Sequence, residues 1–285
     1  MNTVYLNGEF FPEDQACVPV LDRGFIFGDG VYEVIPAYNG KLFRAQEHLE
    51  RLQNNLDAIR IPNPHSLDEW ATLLANLIAK NIGNSASGDL SVYLQITRGV
   101  AKRDHALPAN ITPTVFAMAN PLQPPNKNDL QPGIKAITAE DYRWKNCHIK
   151  AISLLPNVLL RQLAIDEGAS EAILIRDGFA TEGAASNLFI VENQRVVTPP
   201  KGSLLLPGIT RDLILELAEE NQIAFEEGDI PVQRLRDADE IWMTSSTKEI
   251  LPVTTLDNQA VGNGKPGPIW SSMVDLFQAF KQSLR

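Results

Sequence analysis

The first third of the chain alternates patterns of apolar and polar residues that are typical of strands and helices. Asn-Gly pairs at 7–8 and 39–40 stand between apolar segments and predict two β-hairpins, because both residue types tolerate the positive φ of tight turns. "EHLERLQNNLDAIRI" repeats leucine and isoleucine at helical spacing, and "SLDEWATLLANLIAKNIG" opens with a capping-box pair, Ser66 and Glu69, so we expect two helices. "LSVYLQITR" alternates like a strand with one buried face. This part therefore predicts an α+β domain.

A segment rich in proline and polar residues, "NPLQPPNKNDLQPG", separates this part from the rest of the chain. Proline favours a stiff, non-helical connector. We therefore expect a smaller N-terminal α+β domain at 1–119, an interdomain linker at 120–133 and a larger C-terminal domain at 134–285. With 285 residues and 44% hydrophobic content, the chain is long enough to bury the cores of two domains.

The C-terminal part mixes strands and helices in a less regular order. A helix is expected from Pro156 to about Gly168, followed by a turn at 177–178 and an apparent hairpin in "NLFIVENQRVVT". Another helix is expected at "TRDLILELAEENQ", with Thr210 as its N-cap, and a last amphipathic helix follows near the end. The "GDG" at 28–30 is too short for a dinucleotide fingerprint, which excludes a Rossmann domain.

Charge and cysteine content narrow the classes of function. The net charge of −10 and the pI near 4.9 exclude a broad basic surface for nucleic acid or anionic lipid. No apolar run approaches the roughly 20 residues that cross a bilayer, and the first residues lack the pattern of a secretory leader. We therefore expect a cytoplasmic protein. Cys17 and Cys147 are the only cysteines, and the four histidines lack paired ligand spacing, so neither a disulfide framework nor a metal site is expected.

One lysine, Lys150, lies in the middle of the largely apolar run "CHIKAISLLPN". Such a lysine ordinarily belongs to an edge strand, with its stem on apolar groups and its ammonium in water. Burial would instead lower its pKa and leave a nucleophilic amine that can form a Schiff base. The run by itself leaves both interpretations open.

Two further segments could bind a phosphate group. In "LLPGITRD" a loop with a glycine leads into a helix, and the unpaired amides at such an N-terminus, here those of Ile209 and Thr210, attract anions. Asp212 in the first turn offers an ordinary stabilising alternative. "TSSTKE", which contains Ser246, supplies adjacent hydroxyls after a strand, and a strand end entering a cap explains it at least as well.

Charged residues in two more segments could hold other parts of a ligand. Glu182 lies in "ATEGAASNLF", where small residues would let a flat ligand approach the backbone and the carboxylate could keep a pyridinium nitrogen protonated. Arg103 and His105 in "GVAKRDHALP" could bind a carboxylate by charge-assisted hydrogen bonds. Taken singly, each segment is ordinarily a solvated loop.

Seven segments together match a known family in its own order. They are "RGFIFGDGVYEVI", "EHLERL", "TRGVAKRDHALP", "IKAISLLPNVL", "EAILIRDGFATEGAASN", "LPGITRD" and "TSSTKEILPV". The chain resembles the fold-type IV pyridoxal-phosphate-dependent aminotransferases nearly end to end, and among them it is most similar to the D-amino acid aminotransferases. The resemblance implies an α+β two-domain fold, with a smaller α/β N-terminal domain and a larger C-terminal domain that has a barrel-like β core and binds pyridoxal 5′-phosphate.

The resemblance also implies which residues bind this cofactor. Lys150 would carry it as a Schiff base, and Glu182 would pair with its pyridine nitrogen. The phosphate ligands would be the Arg51 side chain, the amides of Ile209 and Thr210, and a hydroxyl such as that of Ser246. Arg51 lies off the apolar stripe of its predicted helix, so periodicity alone would leave it exposed. Ala184-Ala185, where a close relative could have serines, leaves fewer hydroxyls near the cofactor.

Tyr32, with Arg103 and His105 from the neighbouring subunit of a homodimer, would bind the substrate α-carboxylate. The Arg-x-His spacing is a mark of the D-amino acid enzymes in this family. It implies ping-pong transamination of D-amino acids, for example D-alanine, with a 2-oxo acid such as 2-oxoglutarate. An L-branched-chain amino acid aminotransferase and an aminodeoxychorismate lyase share the cofactor and remain alternatives. A cofactor-free binding module with a structural lysine is the alternative from another class.

Overall fold

The computed structural model describes residues 2–123, 125 and 130–283. The chain forms two compact units. Unit 1 consists of 2–123 together with Ile149–Ser153, and unit 2 consists of 125, 130–148 and Leu154–Ser283. Within the described ranges, no helix combines the length and the apolar character needed to cross a membrane.

Unit 1 is built on one antiparallel sheet. Its elements in chain order are β1 (Thr3–Leu6), β2 (Glu9–Pro12), α1 (Arg23–Phe27), β3 (Gly30–Tyr38), β4 (Lys41–Leu42), α2 (Ala45–Ala58), α3 (Leu67–Asn81), β5 (Leu90–Thr97) and β6 (Thr114–Pro121), with single 3-10 turns at Glu13–Gln15 and Ile82–Asn84. The strands pair in the order β2-β1-β6-β5-β3-β4. Both Asn-Gly hairpins are confirmed, because they join β1 to β2 and β3 to β4 with all four residues at positive φ.

Alternation along the strands decides which side chains enter the core of unit 1. Val31 and Ile35 of β3 are fully buried among leucines of α2 and α3. Glu33 lies between them on the same face and is fully buried as well. Tyr32 of β3 and Tyr93 of β5 lie on the opposite face and are half-buried. The core face therefore contains a carboxylate, and the other face carries aromatic side chains.

The predicted capping box is present at the start of α3. The Ser66 hydroxyl accepts a hydrogen bond from the Glu69 amide at 3.3 Å, and the Glu69 carboxylate accepts one from the Ser66 amide at 2.7 Å. At the other end of unit 1, β6 runs to Pro121, so the predicted linker 120–133 begins within the last residues of this strand. Residues 124 and 126–129 of that linker lie outside the described residues.

Unit 2 is built on a ten-stranded sheet that curls into a half-barrel. Its elements are β7 (Ile134–Glu140), α4 (Leu155–Asp166), β8 (Glu171–Arg176), β9 (Phe179–Gly183), β10 (Asn187–Glu192), β11 (Arg195–Thr198), α5 (Ile209–Glu220), β12 (Phe225–Glu227), β13 (Ile230–Pro231), α6 (Val232–Arg236), β14 (Glu240–Ser245), β15 (Glu249–Leu256), β16 (Gln259–Ala260) and α7 (Pro268–Ser283). The strands pair in the order β12-β11-β10-β14-β15-β7-β8-β9-β13, and β16 pairs with β15. The predicted α+β fold class with a barrel-like second sheet is confirmed.

Most of the predicted elements of unit 2 are confirmed. β7 and β8 are parallel and are joined by α4, which begins one residue before Pro156. The turn at 177–178 joins β8 to β9, and β10 and β11 form the expected hairpin. The predicted N-cap of α5 is wrong. The first helical hydrogen bond runs from the Asp212 amide to the Gly208 carbonyl, so Gly208 is the N-cap and Thr210 lies buried in the first turn.

Candidate active site

Lys150 lies in the short segment Ile149–Ser153, which is held against β3 and α2 of unit 1. The Tyr32 amide donates to the Lys150 carbonyl at 3.0 Å, and the Lys150 amide donates to Asn55 Oδ1 at 3.3 Å. The half-buried Lys150 side chain places its Nζ 4.2 Å from the centre of the Tyr32 ring. The backbone of this lysine is therefore fixed on both sides, and its amine faces an aromatic ring at a distance that suits a cation–π contact.

Two tyrosines form the surface beside this lysine. The Tyr32 and Tyr93 rings lie 5.5 Å apart on neighbouring strands, and the Tyr93 hydroxyl donates to Gln95 Oε1 at 2.7 Å. Burial, together with the neighbouring Tyr32, raises the pKa of Tyr93 to about 12. The Tyr93 phenol therefore stays neutral near pH 7 and can act there only as a hydrogen-bonding or packing group. The sequence reasoning missed Tyr93, although it lies on the polar face of an alternating strand.

Arg51 is buried, which corrects the exposure expected from helical periodicity. Its guanidinium makes two hydrogen bonds to the buried Glu33 carboxylate, from Nε at 2.8 Å and from Nη2 at 2.7 Å. The His48 Nδ1 lies 2.7 Å from the same carboxylate. The α2 helix can therefore bury the charged Arg51 side chain against the sheet, because Glu33 supplies a partner of opposite charge. Glu33 was missed, although it shares its strand face with Val31 and Ile35 in the sequence pattern.

The electrostatics of this buried group favour an ionised Glu33. Burial by itself would raise the pKa of Glu33, but the charge and hydrogen bonds of Arg51 and the hydrogen bond with His48 outweigh it and lower the pKa to about 2. Burial lowers the pKa of His48, against the opposing influence of Glu33, and the charge of Lys150 acts in the same direction as burial. The group therefore combines one carboxylate with the Arg51 cation, and it lies near Lys150.

Glu182 lies on β9 and is almost completely buried, which excludes the alternative of a loop glutamate in water. Arg143 Nη1 donates to its Oε1 at 2.6 Å. Asn187 Nδ2 and the Leu206 amide donate to its Oε2 at 3.2 and 3.1 Å. Burial raises the pKa of Glu182 to about 7, although Arg143 and the Leu206 amide act in the opposite direction. A carboxylate with this pKa can share a proton with a group of similar basicity at neutral pH.

Arg143 is itself held by a second carboxylate. Its Nε and Nη2 donate to the two oxygens of Asp141 at 2.9 Å each, and Arg176 Nη2 lies 3.0 Å from the same carboxylate. Arg176 Nη2 also donates to the Arg143 carbonyl at 2.8 Å. Arg143 therefore reaches Glu182 from a fixed position. The sequence reasoning missed all three residues. The clustering of charge in "EDYRWKNC", directly after an apolar strand, is a signal that could have found Asp141 and Arg143 but not Arg176.

The loop before α5 connects Glu182 to the start of this helix. Leu206 donates its amide to Glu182, and its carbonyl accepts a hydrogen bond from Asn187 Nδ2 at 2.8 Å. A Cβ added at Gly208 would lie 1.9 Å from Asn187 Oδ1, so only glycine fits beside this amide side chain. Ile209 and Thr210 follow as the first two helical residues, both buried. The same loop therefore fixes the Glu182 carboxylate and the helix N-terminus predicted to bind phosphate.

Ser246 lies in the turn between β14 and β15 and is half-buried. Thr244, at the end of β14, pairs with Asn187 of β10. The Thr244 hydroxyl is buried and has no hydrogen-bond partner among the residues that the structure describes. Buried hydroxyls are normally paired, and a bound polar ligand is one way to satisfy this one.

Arg103 and His105 lie in the loop between β5 and β6 of unit 1, and both are exposed. Both side chains lie against one aromatic ring, that of Phe27. The Arg103 guanidinium carbon lies 5.4 Å from the centre of the Phe27 ring, and the His105 ring lies 5.4 Å from the same centre. Their predicted contribution to the site of a neighbouring subunit stays a prediction.

The chain belongs to the family described as amino-transferase class IV, whose model matches residues 30–256. The D-alanine aminotransferase of Bacillus licheniformis is 43% identical over 275 residues, which are 96% of this chain and 95% of that protein. The D-alanine aminotransferase of Staphylococcus haemolyticus is 38% identical over 284 residues, 99% of each chain. The crystal structure of a branched-chain amino acid aminotransferase of Escherichia coli matches with a TM-score of 0.89 at 30% identity, covering 98% of this chain and 94% of that one.

The family uses pyridoxal 5′-phosphate, so the predicted family, enzyme class and cofactor are confirmed. The donor groups of each unit fit this cofactor. Unit 1 supplies the Lys150 amine and the Arg51 cation. Unit 2 supplies the buried Glu182 carboxylate, the N-terminus of α5 and the Thr244 hydroxyl, for which the described part of the chain offers no hydrogen-bond partner. Taken by itself, unit 1 offers an amine that suits an aldehyde and a cation that suits a phosphate. Taken by itself, unit 2 offers a carboxylate that suits a pyridine nitrogen and helix amides that suit a phosphate.

Proposed function

We propose that the chain transaminates D-amino acids, with D-alanine as amino donor and a 2-oxo acid such as 2-oxoglutarate as acceptor, in a ping-pong reaction. The observation that carries the proposal is the similarity to proteins named D-alanine aminotransferase, at 37–43% identity over 95–99% of both chains. The Arg103-x-His105 loop adds support, because its two cationic or hydrogen-bonding side chains lie on one ring and could bind a carboxylate.

In this proposal Lys150 binds the cofactor through Nζ and moves the proton at the substrate Cα. Pyridoxal 5′-phosphate, when bound, supplies the electron sink for the charge left on that carbon. Glu182 holds the protonated pyridine nitrogen, and its pKa of about 7 supports this role because the carboxylate can be ionised opposite a cation at neutral pH. Tyr32 restricts the position of the Lys150 amine, as the 4.2 Å contact with its ring indicates.

Phosphate binding is proposed for Arg51, the amides of Ile209 and Thr210, and the Ser246 hydroxyl. The support for Arg51 is its buried and fixed guanidinium, which needs no further ordering on binding. The support for Ile209 and Thr210 is their position in the first turn of α5, where amides have no helical partner. Tyr32, Arg103 and His105 are proposed to bind the substrate α-carboxylate.

We further propose that the enzyme is a cytoplasmic homodimer. Both cysteines are free thiols, which suits a reducing compartment. Exposed apolar side chains in unit 1, including those of Val20 and Phe25, suit a subunit interface. The domain boundaries 1–119, 120–133 and 134–285 also stay a proposal. These boundaries assign Ile149–Ser153 to the second domain, whereas the contacts of this segment place it in unit 1.

The absorbance of the cofactor-loaded protein tests the proposed reaction. D-Alanine, L-alanine and L-leucine are added separately, without any oxo acid. Loss of the visible absorbance band with D-alanine, reversed by 2-oxoglutarate, is the expected result. Loss with L-leucine alone would make the enzyme a branched-chain L-aminotransferase. Structural neighbours at 29–30% identity are named branched-chain amino acid aminotransferases. Formation of 4-aminobenzoate from aminodeoxychorismate would identify the lyase instead.

A further inference from the structure

We propose that Arg23 is a positioning residue that fixes the loop carrying Arg103 and His105, and that Phe27 is the platform on which these two side chains are ordered. The inference rests on the proposed function, because it deepens the account of how the substrate carboxylate is recognised. All of its contacts lie within unit 1.

Arg23 clamps the backbone of the loop on both sides of His105. Its Nη1 donates to the Asp104 carbonyl at 2.6 Å and to the Ala106 carbonyl at 3.4 Å. Arg23 is only 4% exposed, although the loop that it holds is exposed. The Arg23 Nη1 group binds backbone carbonyls, so its contacts with the loop are those of a residue that positions the chain. It fixes the path of the chain from which the His105 side chain projects.

The clamp is anchored to the rest of unit 1 through Asp29. Arg23 Nε donates to Asp29 Oδ2 at 2.7 Å, and Arg98 makes two hydrogen bonds to the same carboxylate at 2.8 and 2.9 Å. Arg98 also donates to the Ile59 carbonyl at 2.7 Å and to the Arg60 carbonyl at 3.0 Å, at the end of α2. Burial would raise the pKa of Asp29, but the hydrogen bonds from Arg98 and Arg23 outweigh it and lower that pKa. Asp29 is therefore ionised near neutral pH and holds Arg23 in place.

Phe27, the last residue of α1, orders the side chains that the clamp leaves free to turn. Arg103 and His105 both contact its ring, and the Arg23 guanidinium carbon lies 4.8 Å from the same ring centre. The backbone of the loop and its two recognition side chains are thus tied to one helical turn, α1. An exposed loop without such contacts would lose conformational entropy when the substrate binds, and this loss would weaken binding.

This arrangement predicts an effect on substrate binding that is separate from cofactor binding. The glutamine in Arg23→Gln carries no charge and no longer reaches the Asp29 carboxylate. In Phe27→Leu the buried hydrogen bonds all remain, and only the aromatic face is lost. Both variants should raise KM for D-alanine, by about ten- to a hundredfold for Arg23→Gln and less for Phe27→Leu, with a smaller change in kcat. Arg23→Lys keeps the charge without the fork of donors and should recover part of the loss.

The experiment combines kinetics with a readout that needs no substrate. KM and kcat for D-alanine, the dissociation constant of pyridoxal 5′-phosphate, and hydrogen–deuterium exchange of the amides at 101–107 are measured for the wild type and the three variants. Arg195→Gln, which removes an exposed arginine of unit 2, is the matched control and should leave all three quantities unchanged. The expected result is faster exchange at 101–107 in Arg23→Gln, a raised KM in both Arg23→Gln and Phe27→Leu, and unchanged affinity for the cofactor.

Two outcomes would overturn the inference. Wild-type exchange rates in Arg23→Gln would show that Arg23 does not fix the loop. Faster exchange with an unchanged KM would show that the order of the loop does not matter for the substrate. Failure of the proposed function has a different signature, because the wild-type enzyme would then not convert D-alanine at all, whatever the exchange rates of the variants.

Discussion

Replacing Glu33 by glutamine should destabilise the cofactor-free protein more than any surface charge can. The glutamine side chain has the shape of the glutamate but cannot accept both hydrogen bonds from Arg51 and the one from His48 as a carboxylate does. Arg51, only 8% exposed, would keep its charge but lose the Glu33 carboxylate that compensates it. Removing one member of a buried ion pair is costly for this reason.

The magnitude follows from the pKa of Glu33. A shift from 4.5 to about 2 means that the folded state favours the ionised carboxylate by about 3 kcal/mol relative to the unfolded chain. Loss of one partner of a buried ion pair typically costs roughly 3–5 kcal/mol. We therefore expect the free energy of unfolding at pH 7 to fall by about 3–5 kcal/mol in Glu33→Gln.

The pH dependence has a definite sign. A carboxylate whose folded pKa lies below its unfolded pKa stabilises the protein fully above the unfolded value, here 4.5, and this contribution is lost as the pH falls towards 2. The difference between the wild type and Glu33→Gln should therefore be constant above about pH 5 and shrink between pH 4.5 and 2.

Urea unfolding of the cofactor-free protein, followed by circular dichroism at several pH values, measures this difference. Glu47→Gln is the matched control, because Glu47 also lies on α2 and pairs with Arg44 at 2.7 Å but is 36% exposed. It should change the free energy of unfolding by less than about 1 kcal/mol. A Glu33→Gln variant within about 1 kcal/mol of the wild type at pH 7, or a difference that does not depend on pH, would refute the reasoning.

Three further predictions concern Lys150 and Glu182. Lys150→Ala should fold but lose multiple turnover, whereas Lys145→Ala, which removes an exposed lysine nearby, should retain it. Steady-state assays with D-alanine and 2-oxoglutarate decide this, and full turnover by Lys150→Ala would reject the assignment. Glu182→Gln should reduce kcat about a hundredfold or more, because the glutamine carries no charge to hold a protonated pyridine nitrogen. In the cofactor-free protein, the raised pKa of Glu182 means that its stabilising contribution is full below pH 4.5 and is lost as the pH rises towards 7. Melting temperatures across this window should thus shift in favour of Glu182→Gln as the pH rises, and a gap that stays constant would contradict the raised pKa.

Local sequence patterns predicted much of the fold because the interactions that fix those elements are local. The Asn-Gly hairpins need only the positive φ of two residues, and the start of α3 needs only Ser66 and Glu69. The N-cap of α5 was wrong for a related reason. Gly208 has no capping side chain, so the sequence pattern favoured the hydroxyl of Thr210, whereas the backbone already enters the helix at Ile209.

The partners of the charged site residues could not be predicted from local patterns. Arg51 is expected at the surface from its helix alone, and its burial depends on Glu33, which lies 18 positions earlier on a different element. Arg143 and Glu182 are 39 positions apart, and the carbonyl that Arg23 binds at Asp104 is 81 positions away. Such pairs become visible only when the sheet registers are known. Local segments pointed to Lys150 and Glu182 but left their interpretation open, and the resemblance to a family chose between the interpretations and added Arg51. Neither source supplied the residues that hold these three in place.

The most direct test of the central claim is the chirality of the product. Purified, cofactor-loaded enzyme is supplied with D-alanine and 2-oxoglutarate, and the glutamate that forms is separated by chiral chromatography. The account predicts D-glutamate together with an equal amount of pyruvate, and no turnover when L-alanine replaces D-alanine. Formation of L-glutamate, or turnover of L-leucine in preference to D-alanine, would contradict it.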